Sequence, residues 1–223
     1  MAICSHSSRE RTEPSRRGTI ASLPVGGYIL VGGKSSRLGQ DKALLEIEGQ
    51  PLAVRIAACM RPAVDSVTLV GPTAKYGRLG PRVIPDAVAD FGPLGGLLAA
   101  LEDSTHEWNL IAACDMPCVT TELFRSLVDR TEDCSEDLVL PYDGEGRPEP
   151  LCAVYRSTAR TAVRRAVASR VHKVMRALDG LKVLRLMPAD YAAVDPDGRA
   201  FTNLNHPGDL EQAGLGGNSQ RTR

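Results

Sequence analysis

Directly after the aliphatic stretch Tyr28-Ile29-Leu30-Val31, two adjacent glycines, Gly32 and Gly33, open the run Lys34-Ser35-Ser36-Arg37-Leu38-Gly39-Gln40-Asp41-Lys42. Glycines let main-chain N–H groups close on an anion with no Cβ in the way, and lysine and arginine neutralise what those groups hold. Arg37 can offer a forked pair of donors to phosphate oxygens, and Lys42 a point charge; Lys34 is as readily a solvated loop lysine. The spacing matches neither G-x-x-x-x-G-K-[ST] nor G-x-G-x-x-G, because Gly33 is followed by Gly39 and Gln40, and Gly32 and Gly33 are neighbours. Two carboxylates stand at similar positions downstream. Asp115 follows the apolar Ala112-Ala113-Cys114, and Asp86 follows Ile84-Pro85, shortly before Gly92-Pro93-Leu94-Gly95-Gly96. By its own residues Asp115 reads equally as an oxygen ligand for a hard divalent cation or as a turn aspartate. Near the C-terminus, Asn203 and Asn205 would point both amides to one side of an extended segment, which suits either ligand recognition or an ordinary turn before a helix.

Taken in order, these segments resemble one known family. The run G-G-K-S-S-R-L-G-Q-D-K closely resembles the nucleotidyltransferase signature G-G-x-S-x-R-M-G-x-D-K, and its Asp41-Lys42 ending is similar to that of the molybdenum cofactor guanylyltransferase (MobA) family. Cys114-Asp115-Met116-Pro117 is similar to the family's C-D-M-P. Arg147-Pro148-Glu149-Pro150-Leu151-Cys152-Ala153-Val154-Tyr155 resembles R-x-x-P-L-x-A-x-Y, and Phe201 to Leu210 resembles F-x-N-x-N-T-P-E-D-L. The likeness covers roughly Gly26 to Ala213.

The resemblance implies an α/β, Rossmann-like three-layer nucleotidyltransferase fold, with a mostly parallel sheet and helices on both faces. It implies transfer of GMP from GTP to molybdenum-molybdopterin, giving the guanine dinucleotide cofactor and pyrophosphate. Such transfer is mainly positioning and charge neutralisation, usually with Mg²⁺. The implied catalytic residues are Arg37, Lys42 and Asp115, with Asp115 the Mg²⁺ ligand. The implied GTP contacts are Leu30, Val31, Gly32, Gly33, Lys42, Asp86 and Asp115, with Asn203 and Asn205 on the pterin side. Asp86, an acceptor when ionised, suits the N1–H and N2–H₂ edge of guanine. The chain departs from the family at Val31, where alanine is usual, and at His206, where threonine is usual. It departs again at Val70-Gly71, where the strand end often carries an asparagine. A cytidylyltransferase acting on the same cofactor is the nearest alternative, although its relatives usually read L-A-A-G where this chain has Gly32-Gly33. Sugar-phosphate nucleotidyltransferases tend to read G-G-x-G-T-R. A catalytically inactive GTP-binding adaptor is opposed by intact Arg37, Lys42 and Asp115. Implied partners are GTP and molybdopterin as substrates, with transient contacts to molybdoenzymes or their chaperones.

The elements that must hold these residues alternate along the first half. Strands are expected at Gly27–Val31, Val67–Val70, Arg82–Ile84 and Leu110–Ala113, and helices at Pro51–Met60 and Leu94–Leu101, with Thr121 capping a further helix through Phe124, Leu127 and Val128. Such alternation predicts parallel strands with their ligand at the carboxyl ends, where the distinctive segments fall. Farther on, strands are expected at Leu138–Leu140 and Leu151–Tyr155, flanking a polar loop from Asp143 to Arg147. Helices are expected over roughly Ser157–Ser169 and Val171–Leu178, then strands at Lys182–Leu186 and Ala200–Thr202 and a short helix opened by Pro207.

Composition sets the outer bounds. At 223 residues one buried core is the expectation, spanning 26–213, with polar extensions at 1–25 and 214–223. Lys+Arg and Asp+Glu are both 27, so no global charge points to nucleic acid or a membrane surface, and local cations must meet any polyanion. Aromatics are only 4%, too few for a platform that stacks single strands. The first 23 residues carry arginines but lack the apolar stretch of a secretory signal. Six cysteines offer Cys114-x-x-x-Cys118 but no second pair at ligand spacing, so reduced thiols in a cytoplasmic protein are expected.

Overall fold

The computed structural model describes residues 24–32, 41–204 and 209. Strand β1 (Val25–Leu30) is buried along its whole length, as a strand covered on both faces must be. A 3₁₀ turn (Lys42–Leu44) and a small hairpin, β2 (Glu46–Ile47) and β3 (Gln50–Pro51), lead into helix α1 (Leu52–Met60). Then come β4 (Ser66–Val70), α2 (Thr73–Tyr76), β5 (Arg82–Ile84), α3 (Pro93–Asp103) and β6 (Trp108–Ala113). The remainder is α4 (Thr121–Asp129), β7 (Leu138–Pro141), β8 (Cys152–Arg156), α5 (Ala159–Ala168), α6 (Val174–Ala177), β9 (Val183–Leu186) and α7 (Pro188–Tyr191).

Seven strands form one sheet in the order β5-β4-β1-β6-β8-β7-β9. The β5–β4, β4–β1, β1–β6 and β7–β9 pairs are parallel, while β8 runs antiparallel to both neighbours. The expected three-layer α/β fold with a mostly parallel sheet is therefore what the chain adopts. Period-two alternation assigns the faces. Ile29, Leu69, Leu110, Ala112, Val139 and Val154 pack with α1 and α4, whereas Tyr28, Leu30, Val70, Ile111, Leu140 and Tyr155 pack with α3 and α5. Since β1 pairs with β4 on one side and β6 on the other, the winding reverses between β1 and β6. In open sheets of this kind the ligand crevice lies at the carboxyl ends beside such a reversal.

Local chemistry revises several expectations. The cap of α4 is Thr120, whose Oγ1 accepts from Leu123 N at 3.1 Å; Thr121 is the first helical residue and its hydroxyl donates to Cys59 O at 2.9 Å. The segment Ala200–Thr202 is a turn, because the Asp195 carboxylate accepts from the backbone N–H groups of Arg199 and Ala200, and Thr202 N closes on Arg199 O. The helical stretch after Val171 shortens to the single turn α6. Pro207 lies outside the described residues. No helix among those residues is long and apolar enough to cross a membrane.

Candidate active site

Four strand ends build the crevice. Leu30 O accepts from Cys114 N at 3.1 Å and Val31 N donates to Val70 O at 2.9 Å, so β1 is held from both sides up to its last residue. Gly32 is the first residue beyond that ladder. Its partner loop begins at Gly71, anchored by donation from Gly71 N to Ile84 O at 2.8 Å. A methyl placed on Gly71 would lie 3.2 Å from Gly32 N and 3.0 Å from Val31 Cγ2, so the two backbones nearly touch. Val70 itself is fully buried against the α3 layer. A valine has no polar group to offer a base, so this strand end is apolar.

Asp86 fills the space that two glycines leave. A Cβ on Gly32 would meet Asp86 Oδ2 at 3.3 Å, and one on Gly96 would meet Oδ1 at 3.1 Å. The carboxylate is thus held between the end of β1 and the first turn of α3, which Gly92 opens at φ 75°, a conformation that favours glycine. Burial pushes the Asp86 carboxyl above the usual carboxylate range, and its own backbone N–H offsets this only in part. A donor pair arriving from a ligand would pair with the carboxylate oxygens that face the two glycines.

Across the crevice, Lys42 Nζ lies 3.3 Å from Asp115 Oδ2, both groups partly shielded from water. Lys42 begins the 3₁₀ turn that Asp41 caps by accepting from Ala43 N at 3.0 Å. Asp115 extends past β6, and its carbonyl accepts from Leu204 N at 2.8 Å. That bond brings Asn203 to the same end of the sheet. Gly33, Arg37 and Asn205 lie outside the described residues, as does Lys34.

Glu149 was invisible as a site residue, because it occupies an unspecified position of the R-x-x-P-L segment. Its backbone N donates to Pro141 O at 2.9 Å, holding it at the carboxyl end of β7. Burial first, then the neighbouring charges of Asp143 and Asp115, push its carboxyl up to about 7 against the pull of Arg147. Asp143 behaves oppositely: burial raises it, but the Arg147 backbone N–H and guanidinium and the Glu145 N–H outweigh that and hold it low. The thiol of Cys114, pushed up to about 12 by burial, is no nucleophile. Cys59, Cys114, Cys118, Cys134 and Cys152 are free thiols.

A hard cation would find oxygen at Asp115. No cluster of three or more His, Cys, Asp or Glu that could cage a metal occurs among the described residues. That donor set suits Mg²⁺, which keeps waters and substrate phosphates in its shell and takes only one or two protein carboxylates.

Residues 27–183 match the family model described as the MobA-like NTP transferase domain. A probable molybdenum cofactor guanylyltransferase of Pelotomaculum thermopropionicum is 34% identical over 201 residues, covering 90% of this chain and 97% of that protein. The molybdenum cofactor guanylyltransferase of Desulfosudis oleivorans is 31% identical, over 85% and 94% of the two chains. Among solved structures, molybdopterin-guanine dinucleotide biosynthesis protein A of Archaeoglobus fulgidus superposes with a TM-score of 0.74 at 26% identity, over 84% and 96%. The 2-C-methyl-D-erythritol 4-phosphate cytidylyltransferase of Thermus thermophilus, at 17% identity, shares the fold with a TM-score of 0.61, over 86% and 97%.

Proposed function

The chain belongs to the MobA-like NTP transferase family, and from that premise we propose that it transfers GMP from GTP to molybdenum-molybdopterin. The terminal phosphate oxygen of molybdopterin forms a bond to the α-phosphorus of GTP, the bond from that phosphorus to the bridging oxygen breaks, and pyrophosphate leaves. The product is the molybdopterin guanine dinucleotide. The observation that carries this reading is the approach of Lys42 Nζ to Asp115 Oδ2, 3.3 Å, across the crevice where the winding of the sheet reverses.

Each residue has a defined task. The backbone of Leu30, Val31, Gly32 and Gly33 lies along the nucleotide, and Asp86 accepts from the guanine edge. Lys42 and Arg37 hold the triphosphate, and Asn203 and Asn205 serve the pterin side. Asp115 would hold Mg²⁺, which would supply charge neutralisation at the phosphates. Lys42 holds that carboxylate in place until the nucleotide arrives, then turns to a phosphate oxygen. Residues 26–213 are assigned to one nucleotidyltransferase domain, and free thiols support a cytoplasmic setting in which molybdoenzymes or their chaperones receive the product. Purified protein incubated with Mg²⁺, molybdopterin and each nucleoside triphosphate in turn tests the assignment. Pyrophosphate together with a guanine dinucleotide is expected with GTP; release with no nucleotide, or a cytosine product alone, would overturn it.

A further inference from the structure

Tyr76, the last residue of α2, is 2% exposed and lies beneath the crevice floor. Its ring edge comes within 3.2 Å of where a Cβ on Gly71 would stand, so it packs under the Gly71–Gly32 contact. Its hydroxyl donates to Asp41 Oδ2 at 2.8 Å, and the Lys75 ammonium closes on the same oxygen. The other oxygen, Oδ1, accepts from Ala43 N at 3.0 Å. Among the described residues, three donors therefore engage Asp41 at both oxygens. The residue beside it, Lys42, is left to reach Asp115. Without those donors the Asp41 carboxylate would stand as a competing anion one residue from the ammonium, and the turn that aims Lys42 would lose its cap.

We infer that Tyr76 and Asp41 form a latch that positions Lys42 toward the triphosphate of the bound nucleotide. The latch rests on the phosphate role given to Lys42 above. Tyr76 is a positioning residue: its hydroxyl touches no substrate, and it acts by fixing the carboxylate that fixes the 3₁₀ turn. Its buried ring also joins α2 to the loop after β4, so nucleoside binding and phosphate binding share one support.

The hydroxyl can be removed with the ring kept. Tyr76→Phe is expected to raise the KM for GTP roughly tenfold, the scale of a misplaced charge-assisted contact, while leaving guanosine binding and the melting temperature near wild type. A merely structural role would weaken guanosine and GTP together. Asp41→Ala should produce the same selective loss, and Tyr76→Phe added to Asp41→Ala should lose little more, since the two act as a unit. Wild-type KM in Tyr76→Phe, additive losses in the double variant, or equal weakening of guanosine each overturns the latch. Lys42→Ala measured alongside separates the two layers. If it costs nothing, the phosphate role of Lys42 falls and the latch with it; if it weakens GTP while Tyr76→Phe does not, the latch alone fails.

Discussion

If Asp115 holds the metal as proposed, its single charge is what the reaction needs. Asp115→Asn is nearly isosteric, keeps the carbonyl bond to Leu204, and removes the negative charge that a hard cation requires. Turnover should fall about a hundredfold or more with an unchanged melting curve; wild-type kcat and Mg²⁺ dependence would remove Asp115 from the site. Lys42→Ala should cost about 1.5–3 kcal/mol, roughly ten- to a hundredfold or more in kcat/KM for GTP. Glu149 carries a pH signature of its own. Its carboxyl is raised from the ordinary glutamate value to about 7, so the folded chain binds an extra proton between those values. The stabilisation from that proton is complete below the ordinary value and is lost as pH rises through about 7. Melting of nucleotide-free protein in chelator should therefore show Glu149→Gln gaining on wild type from pH 5 to pH 8; a constant difference would contradict the burial argument. Lys42, Asp86 and Asp115 could be proposed from the sequence because each belongs to an ordered motif. Glu149 and Tyr76 could not, since burial and neighbours from distant segments give them their character.

The elements themselves depend on close approaches that sequence periodicity does not encode. Gly27 is one: a Cβ there would stand 2.8 Å from Ser66 O, Met60 Sδ and Val64 Cγ2, atoms of β4, α1 and the link between them. Gly27→Ala should destabilise the fold by about 1–3 kcal/mol, seen as a lower urea midpoint at constant m-value; an unchanged midpoint would mean that β1 has room to move. Strands β1, β4, β5 and β6 were readable as short apolar runs between breakers, and α1 and α3 as apolar runs opened by proline. The two-residue strands β2 and β3 and the single-turn helices α2 and α7 are too short to carry a period. Ala200–Thr202 looked like a strand by residue type, yet the carboxylate of Asp195, several positions upstream, captures the backbone N–H groups of Arg199 and Ala200, and Thr202 N closes on Arg199 O to make a turn.

For the whole molecule, the reversal of winding between β1 and β6 gathers residues from distant parts of the chain at one end of the sheet. Lys42, Asp86, Asp115, Glu149 and Asn203 lie toward that end because every strand of the seven-stranded sheet but β8 presents its carboxyl end on that side. Strand–helix alternation in the first half made this arrangement readable. The place of β8 was not, since antiparallel pairing depends on where the chain returns rather than on its local pattern. The fold is shared with a cytidylyltransferase at 17% identity, so architecture alone does not choose the base. The proposed reading gives that choice to Asp86, set between Gly32 and Gly96. Facing guanine it would meet two donors, whereas facing cytosine a half-buried carboxylate would stand opposite the acceptors N3 and O2. The direct measurement is kcat/KM for GTP and CTP with molybdopterin, on wild type and on Asp86→Ala. Guanylyl transfer predicts GTP favoured by at least about a hundredfold and a preference eroded in the variant; equal use of the two nucleotides by the wild-type protein would contradict it.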